Sequence, residues 1–583
     1  MLRNLILIAI LAFATAFIAS KIIKAGSNDN GATILLHNKT KKLTAISCGP
    51  DWAAINTLTE EAEIPIIPGT GKYSWKISTQ NDSAQVYFNQ GINMYYSFHI
   101  IEAMASFKKA AKFDSGCAIL YWAQALTYGP NINDLGYVAS PAALQATAMA
   151  EKLSGKGSAL EKALINAMSV RYTADSADAT RAKLNVQYTA MMKKVYDDFS
   201  RNADAQALYA DAMMLEHPWD LWNIDGTPKP WTPLIETVLE KLLATTPDHP
   251  GANHYYIHVM EPSPFAAKAL PSANRMGRLT PGLSHTVHMP SHIYLRTGQY
   301  NTGATVNENA LKDYKKVFAL YNPVAASDFL YVIHNIHMQT TVGMLAGRRT
   351  YSMQSAQETA ASVPETYSLA PAPFGSGAQY VLMIPTLVNI RFGNWNELLT
   401  GKQPNPKMIY ATILYHFGRG MALAHESKIA DANNELLQMR IAMKDSGLYL
   451  PFGVFSPAID GATVAENILL GSIAMEEKNY AAAITAFETA ATTEEHMVYQ
   501  EPRDWLLNPK HYLGNAYLKA GRPADAEKVF RKDLLNNNEN GWALFGVYQA
   551  LQAQHKNAAA AVMLVRYKKA FAMADVKLDA AVF

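Results

Sequence analysis

Cysteine is almost missing from this sequence. Only Cys48 and Cys117 occur among 583 residues. They allow one disulfide in an oxidising compartment, but two unpaired thiols fit the sequence equally well. No C-x-x-C-H motif occurs either, so covalently attached c-type haem is not indicated.

Charged residues are also few. Asp, Glu, Lys and Arg make up 17% of the chain, and the formal net charge is +2, with no basic block and no acidic tail. A nucleic-acid partner requires a clustered cationic surface, so we expect none. The sequence also lacks a G-x-S-x-G nucleophile motif and a phosphate-binding glycine loop.

A long hydrophobic run is found only at the N-terminus. Arg3 precedes an apolar stretch, residues 5–19, that is followed by Ser20 and Lys21. This stretch is shorter than the roughly 20 residues of a spanning helix, and it is typical of a secretory signal. Residues 1–25 are therefore predicted to be a signal peptide or an uncleaved N-terminal anchor. We expect an exported protein, whether periplasmic, secreted or membrane-anchored, that contacts a membrane only through an uncleaved N-terminus.

From Ser83 onwards the sequence is helical in pattern. Amphipathic runs of 12–16 residues alternate with short Gly, Asn, Asp or Pro breaks. Several pairs of runs match the small and large positions of the tetratricopeptide repeat, whose period is about 34 residues. The best match contains Gly514 and Ala526, where paired helices approach, and Phe530, which fills the space between them. The sequence predicts an all-α, tetratricopeptide-type solenoid of helical hairpins.

The predicted organisation has four parts after the N-terminal segment. Residues 26–82 form a short irregular extension with a β-like stretch at 73–77, and residues 83–361 form an N-terminal helical array. A Pro- and Gly-rich linker at 362–377 separates it from a C-terminal array at 378–583. Stacked hairpins of this kind curve around a concave groove.

Histidines are concentrated in the middle of the chain. Seven of the sixteen fall within residues 254–337. The predicted metal-binding residues are these seven and one nearby carboxylate: His254, His258, Glu261, His285, His288, His292, His334 and His337. Pro290 predicts a helix start that leaves His288 just outside that helix.

The spacing of these histidines follows the repeat. His254 to His288 and His258 to His292 are both separated by 34 residues. His288 and His337 each lie 10 residues before a glycine that ends the first helix of a hairpin. The register therefore predicts that the histidines share the groove-facing side of three consecutive first helices.

Clustered neutral imidazoles are typical ligands of transition metals. Three histidines suit a catalytic-type zinc site, and two sets of three suit a coupled pair of copper ions. Copper or zinc is therefore the expected cofactor, and Glu261 is either a ligand or an acceptor that orients an imidazole. A purely structural role, or a polar groove for another ligand, also fits these residues.

Three other segments stand out less clearly. Residues 129–133 and 216–220 follow helices, and both fit helix ends better than functional loops. Residues 499–502 and His511 lie too far along the chain to be placed from the sequence.

The chain resembles a group of large bacterial exported tetratricopeptide-repeat proteins whose function is largely uncharacterised. The shared segments are Tyr87–Gly91, Gly129–Asn133, His217–Asp220, Asn253–His258, His288–Tyr294 and Asn540–Gly546. Where that group has Phe-Asn-His after its first helix, this chain has Phe98, His99 and Ile100. The resemblance implies the fold, but it implies no activity.

Two functional hypotheses follow from the sequence. In the first, the exported protein binds a transition metal through histidines in its groove, with redox or hydrolytic chemistry as the activity. In the second, the chain is a non-enzymatic scaffold whose groove holds a peptide or a partner protein.

Overall fold

The computed structural model describes residues 52–583, apart from residues 62, 135, 136, 138, 176 and 321–328. The predicted signal peptide or anchor at 1–25 and Cys48 lie outside the described residues. Cys117 is buried, and its thiol donates a weak hydrogen bond to the Ser78 carbonyl.

Helices make up most of the described chain, and its only β pairing is one isolated bridge between Trp222 and Pro228. The first helices are α1 Trp52–Glu61, α2 Asp82–Tyr96, α3 Ile100–Phe113, α4 Ala118–Thr127, α5 Pro141–Leu153, α6 Ala159–Met168, α7 Arg181–Asp198, α8 Ala203–Glu216 and α9 Thr232–Thr245. They are followed by α10 Pro250–Met260, α11 Leu270–Leu279, α12 Ser284–His288, α13 Pro290–Arg296, α14 Tyr300–Leu320, α15 Phe329–Leu345, α16 Arg349–Ala361, α17 Glu365–Ser368, α18 Phe374–Leu382 and α19 Ile384–Arg391. The remaining ones are α20 Trp395–Thr400, α21 Ile409–His425, α22 Ile429–Ala442, α23 Ala458–Glu476, α24 Tyr480–His496, α25 Pro509–Lys519, α26 Pro523–Asn536, α27 Gly541–Ala553 and α28 Asn557–Ala570.

Consecutive helices pack as hairpins, and each hairpin packs on the next. The pairs α2/α3, α21/α22, α23/α24 and α27/α28 have the most extensive contacts, and α24/α25 and α26/α27 join successive pairs. The predicted all-α, tetratricopeptide-type solenoid is thus confirmed. Among the described helices, only α23 is long and apolar enough to cross a membrane by length and composition, and half of its apolar stretch is buried within the protein.

The extension before α2 is partly helical, because it contains α1. Residues 73–77 pair with no strand in the described structure. Instead, side-chain amides of α2 hold them: Asn89 accepts from the Trp75 N–H at 3.2 Å, and Gln85 accepts from the Ile77 N–H at 3.1 Å. The β-like pattern of this stretch therefore reflects an extended segment lying along a helix.

The buried apolar residues form two large clusters. One spans residues 52–294 and the other spans residues 344–581. Residues 362–377, predicted to be a linker, contain α17 and the start of α18. The histidine-bearing helices α10, α12 and α13 lie at the end of the first cluster, and α15 lies between the two.

Close helix approach explains the glycines of the repeat. A Cβ atom on Gly514 of α25 would lie 2.3 Å from the Phe530 ring of α26. We expect Gly514→Ala to lower the free energy of unfolding by roughly 1–3 kcal/mol, because the ring must move aside. Thermal unfolding followed by circular dichroism measures the change.

Gly277→Ala is the matched control, because Gly277 is also helical and has open space where a Cβ would lie. Alanine there should leave stability unchanged or raise it by about 0.5–1 kcal/mol. Equal stability of the two variants would show that the contact with Phe530 does not hold the hairpin together.

Candidate metal centre

Helix α10 brings three of the predicted ligands together. It begins after His249, whose Nδ1 accepts a hydrogen bond from the Ala252 N–H at 3.1 Å. His254 and His258 lie about one helical turn apart, and Glu261 follows at the C-terminal end. All three side chains are buried.

Pro290 separates α12 from α13, as its missing N–H predicts. Met289 between them keeps helical dihedral angles, with φ −50° and ψ −35°, and its N–H donates to the His285 carbonyl at 2.9 Å. His288 therefore lies outside α13, as expected, but it remains one turn before His292.

The first trio consists of His254, His258 and His285. The His254 Nε2 lies 3.0 Å from the His258 Nε2 and 3.2 Å from the His285 Nε2. Two nitrogens that each lie about 2.0–2.1 Å from one zinc ion in tetrahedral geometry are about 3.3 Å apart. The His254 Nε2 therefore lies near the spacing of shared zinc ligands from both other nitrogens, and all three nitrogens lie within 4.8 Å of one another.

The second trio consists of His288, His292 and His334, the last contributed by α15. The His292 Nε2 lies 2.8 Å from the His288 Nε2 and 3.3 Å from the His334 Nε2. His288 and His292 are buried, whereas His334 is half-buried. The second trio thus repeats the first, but it has one ring nearer to solvent.

The outer nitrogens of the rings contact hydrogen-bond acceptors. The Nδ1 atoms of His254, His258 and His288 lie 2.7 Å from the Tyr96 carbonyl, 2.9 Å from the Glu261 Oε1 and 2.6 Å from the Asn307 Oδ1. A neutral imidazole has a single N–H, and an acceptor at Nδ1 places it there. The Nε2 atoms of His254, His258 and His288 therefore carry lone pairs. In the first trio, two such lone pairs face each other 3.0 Å apart, at His254 and His258.

Glu261 connects the two trios. Its Oε1 contacts the Nδ1 of His258, and its Oε2 forms an ion pair with the Nδ1 of His292. Glu501, which precedes α25, forms a second ion pair with the same Nδ1 of His292. Glu261 thus lies behind the rings as an acceptor that orients one histidine of each trio.

Burial keeps five of the six rings neutral at neutral pH. Burial first, and then neighbouring histidines, lower the pKa of His254, His285 and His334 well below the usual value. Burial also lowers the pKa of His258, and it lowers the pKa of His288 to about 3. Neutral imidazole is the form that coordinates metal ions.

His292 differs from the other five because two carboxylates adjoin it. Burial alone would lower its pKa, but Glu261 and Glu501 raise that pKa above the usual value. Burial raises the pKa of Glu501, and the charge of Glu261 adds to this rise. Burial opposes ionisation of Glu261, but His292 and His258 lower its pKa. Glu261 is therefore the carboxylate that stays ionised behind the trios.

His337 is the one predicted histidine that belongs to neither trio. It is buried, its ring lies 6.2 Å from the Tyr380 ring, and burial lowers its pKa to about 3. His511, unplaced from the sequence, lies elsewhere: its Nε2 contacts the Asp533 carboxylate at 2.8 Å in a buried network.

Aromatic side chains surround the first trio. Phe98 stacks on His258 and His285, with ring centroids 5.8 and 5.7 Å apart. Trp219 meets His258 edge-on at 5.4 Å, and Tyr331 meets His285 at 4.5 Å. Segment 216–220, interpreted as a helix end, therefore also places an aromatic ring against the trio.

Asn307 and Tyr96 are ring partners that no sequence pattern indicates, and the position of Glu501 does not follow from the sequence either. Each comes from an element distant in the sequence, and an Asn or a backbone carbonyl has no local pattern that marks it as a histidine partner. For Glu501, the Glu-Pro pair within 499–502 was the only signal.

No family model and no curated protein matches this chain. Similar solved structures include the human IFIT1 dimer with m7Gppp-AAAA, at 9% identity over 90% of this chain and 94% of that chain, with a TM-score of 0.30. The APC/C hetero-tetramer Cut9–Hcn1 matches at 11% identity over 83% and 76%, with a TM-score of 0.29. Yeast Tom70 matches at 10% over 85% and 92%, with a TM-score of 0.27. These likenesses concern helical-repeat architecture alone.

Proposed function

We propose that this chain is an exported protein that binds transition-metal ions through its two histidine trios. The observation that carries the proposal is the convergence of three Nε2 atoms in each trio, while outer acceptors hold the N–H of several rings at Nδ1. A cation between the facing lone pairs of His254 and His258 would relieve their repulsion. Export is inferred from the short apolar run at residues 5–19.

Copper and zinc suit these ligands best, because both accept all-imidazole coordination. Three protein ligands leave one position of each ion for water or substrate. Copper in such a site supports redox chemistry, and zinc supports hydrolysis through an activated water. Glu261 and Asn307 hold the rings in the tautomer that coordinates.

Metal analysis of the purified protein tests this function. We expect about two copper or zinc ions per chain, one for each trio, in tag-free protein prepared without chelator or reconstituted afterwards. Inductively coupled plasma mass spectrometry gives the stoichiometry. His496→Ala is the control for adventitious binding, because His496 belongs to neither trio and its ring bonds the Thr492 carbonyl on an exposed surface.

A chain that holds no stoichiometric metal even after reconstitution with copper and with zinc would contradict the proposal. The trios would then be a structural polar core, and a scaffold that binds a peptide or partner protein would become the better explanation of this solenoid.

A further inference from the structure

The two trios adjoin each other, with ring contacts between them only slightly longer than most of those within a trio. Between trios, the His258 and His292 ring centroids are 6.3 Å apart, and those of His285 and His288 are 6.1 Å apart. Within the trios, the centroid distances lie between 4.8 and 6.2 Å. The six rings therefore form one continuous cluster.

Covalent and hydrogen-bonded links join the trios at two places. His285 and His288 lie three residues apart on the same short helix and belong to different trios. His258 and His292 are joined through the single carboxylate of Glu261, which contacts the Nδ1 of each. The two trios are therefore structurally linked through α12 and through Glu261.

We infer that the trios form one dinuclear centre, in which two metal ions share a bridging oxygen ligand supplied by water. This inference rests on the proposed metal-binding function. Each trio provides three ligands and leaves one position open, and a single oxygen between the ions fills both positions. Two-metal centres of this kind hold their ions about 3.5–4 Å apart.

The surroundings favour entry of the bridging ligand from the second trio. Phe98 and Trp219 cover the first trio, whose three histidines are all buried. His334 is the half-buried ring of the six. The side of His334 is therefore where the proposed bridging ligand would enter, while the first trio stays shielded.

Copper provides a direct test, because two Cu(II) ions that share one oxygen couple their unpaired electrons and lose their EPR signal. The full-length protein is loaded with Cu(II), freed of excess metal, and measured for total copper and for integrated EPR spin. We expect two copper ions per chain, and we expect most of that copper to give no EPR signal. Denaturing the loaded protein in acid without oxidant should release Cu(II) and restore the full spin.

Variants that keep only one trio provide the matched control. His288→Ala/His334→Ala and His254→Ala/His285→Ala should each bind one copper ion per chain and show its full spin. The first pair spares every ligand of the first trio, and the second pair spares every ligand of the second. The first pair changes α12 and α15 and the second changes α10 and α12. Circular dichroism of each variant checks its fold, and a folding defect confined to one variant leaves the other informative.

Two copper ions with full spin in the unmodified chain would overturn the inference, since the ions would then be separate. Silent copper whose signal stays missing after acid release would also overturn it, because that silence reflects Cu(I). A chain that binds no copper and no zinc would instead contradict the proposed function itself.

Discussion

Replacing His258 and His292 together with alanine should reduce bound metal from about two ions per chain to almost none. The double variant removes one ligand from each trio, and it also removes both imidazoles that Glu261 orients. Metal content after reconstitution measures the loss. The far-ultraviolet circular dichroism should remain helical, because apolar packing holds the hairpins together.

Thermal unfolding gives an independent measurement on the same variant. A ligand that binds only the folded state stabilises it by about 2.7 kcal/mol when its concentration is 100 times Kd. The unmodified chain should therefore unfold at a higher temperature with metal than without, and the double variant should show no such difference. His416→Ala is the control, because His416 pairs with Glu435 outside both trios.

Retention of two ions by the double variant would mean that the trios are not the binding site. Loss of metal together with loss of helical signal would show that His258 and His292 hold the fold, and the metal measurement would then be repeated on the variants that spare one trio.

Glu261→Gln should weaken metal binding by roughly 10–100-fold, as replacement of groups that orient metal ligands usually does. A carboxylate accepts hydrogen bonds through both oxygens, so it holds the N–H of His258 and His292 at Nδ1 together. Glutamine has one accepting oxygen and one donating amide. One of the two rings must then face a donor, which moves its proton to Nε2 and removes a ligand.

A titration with competing chelator measures this change in affinity. Glu435→Gln is the matched control, because Glu435 also accepts from a histidine Nδ1, at 2.6 Å from His416, and lies outside both trios. It should leave the affinity for metal unchanged. Equal affinities for the Glu261→Gln variant and the unmodified chain would show that Glu261 does not set the tautomers of the two rings.

The helical architecture could be predicted from the sequence pattern, because the apolar residues that a helical hairpin buries lie close together in the sequence. Gly514 and Phe530 occupy small and large positions of one repeat. In the structure the Phe530 ring fills the space that a Cβ atom on Gly514 would need. The same pattern could not show that residues 73–77 lie along a helix, since an extended segment held by side-chain amides has the alternation of a strand.

By itself the sequence determined which helices carry the histidines and in what register, since equal spacing in equivalent repeats places side chains on equivalent faces. Only the tertiary structure decided how the histidines divide. Residues four apart on a helix point about 40° apart, so His254 with His258, and His288 with His292, fall in one trio each.

Residues three apart point about 60° apart in the opposite sense. This separation lets His285 and His288 reach different trios, but the positions of α10 and α15 decide which trio each joins, and they leave His337 out while His334 joins the second. Glu501, Asn307 and the Tyr96 carbonyl reach the rings from segments far along the chain. Such partners depend on how hairpins stack in space, and local sequence spacing does not record that packing.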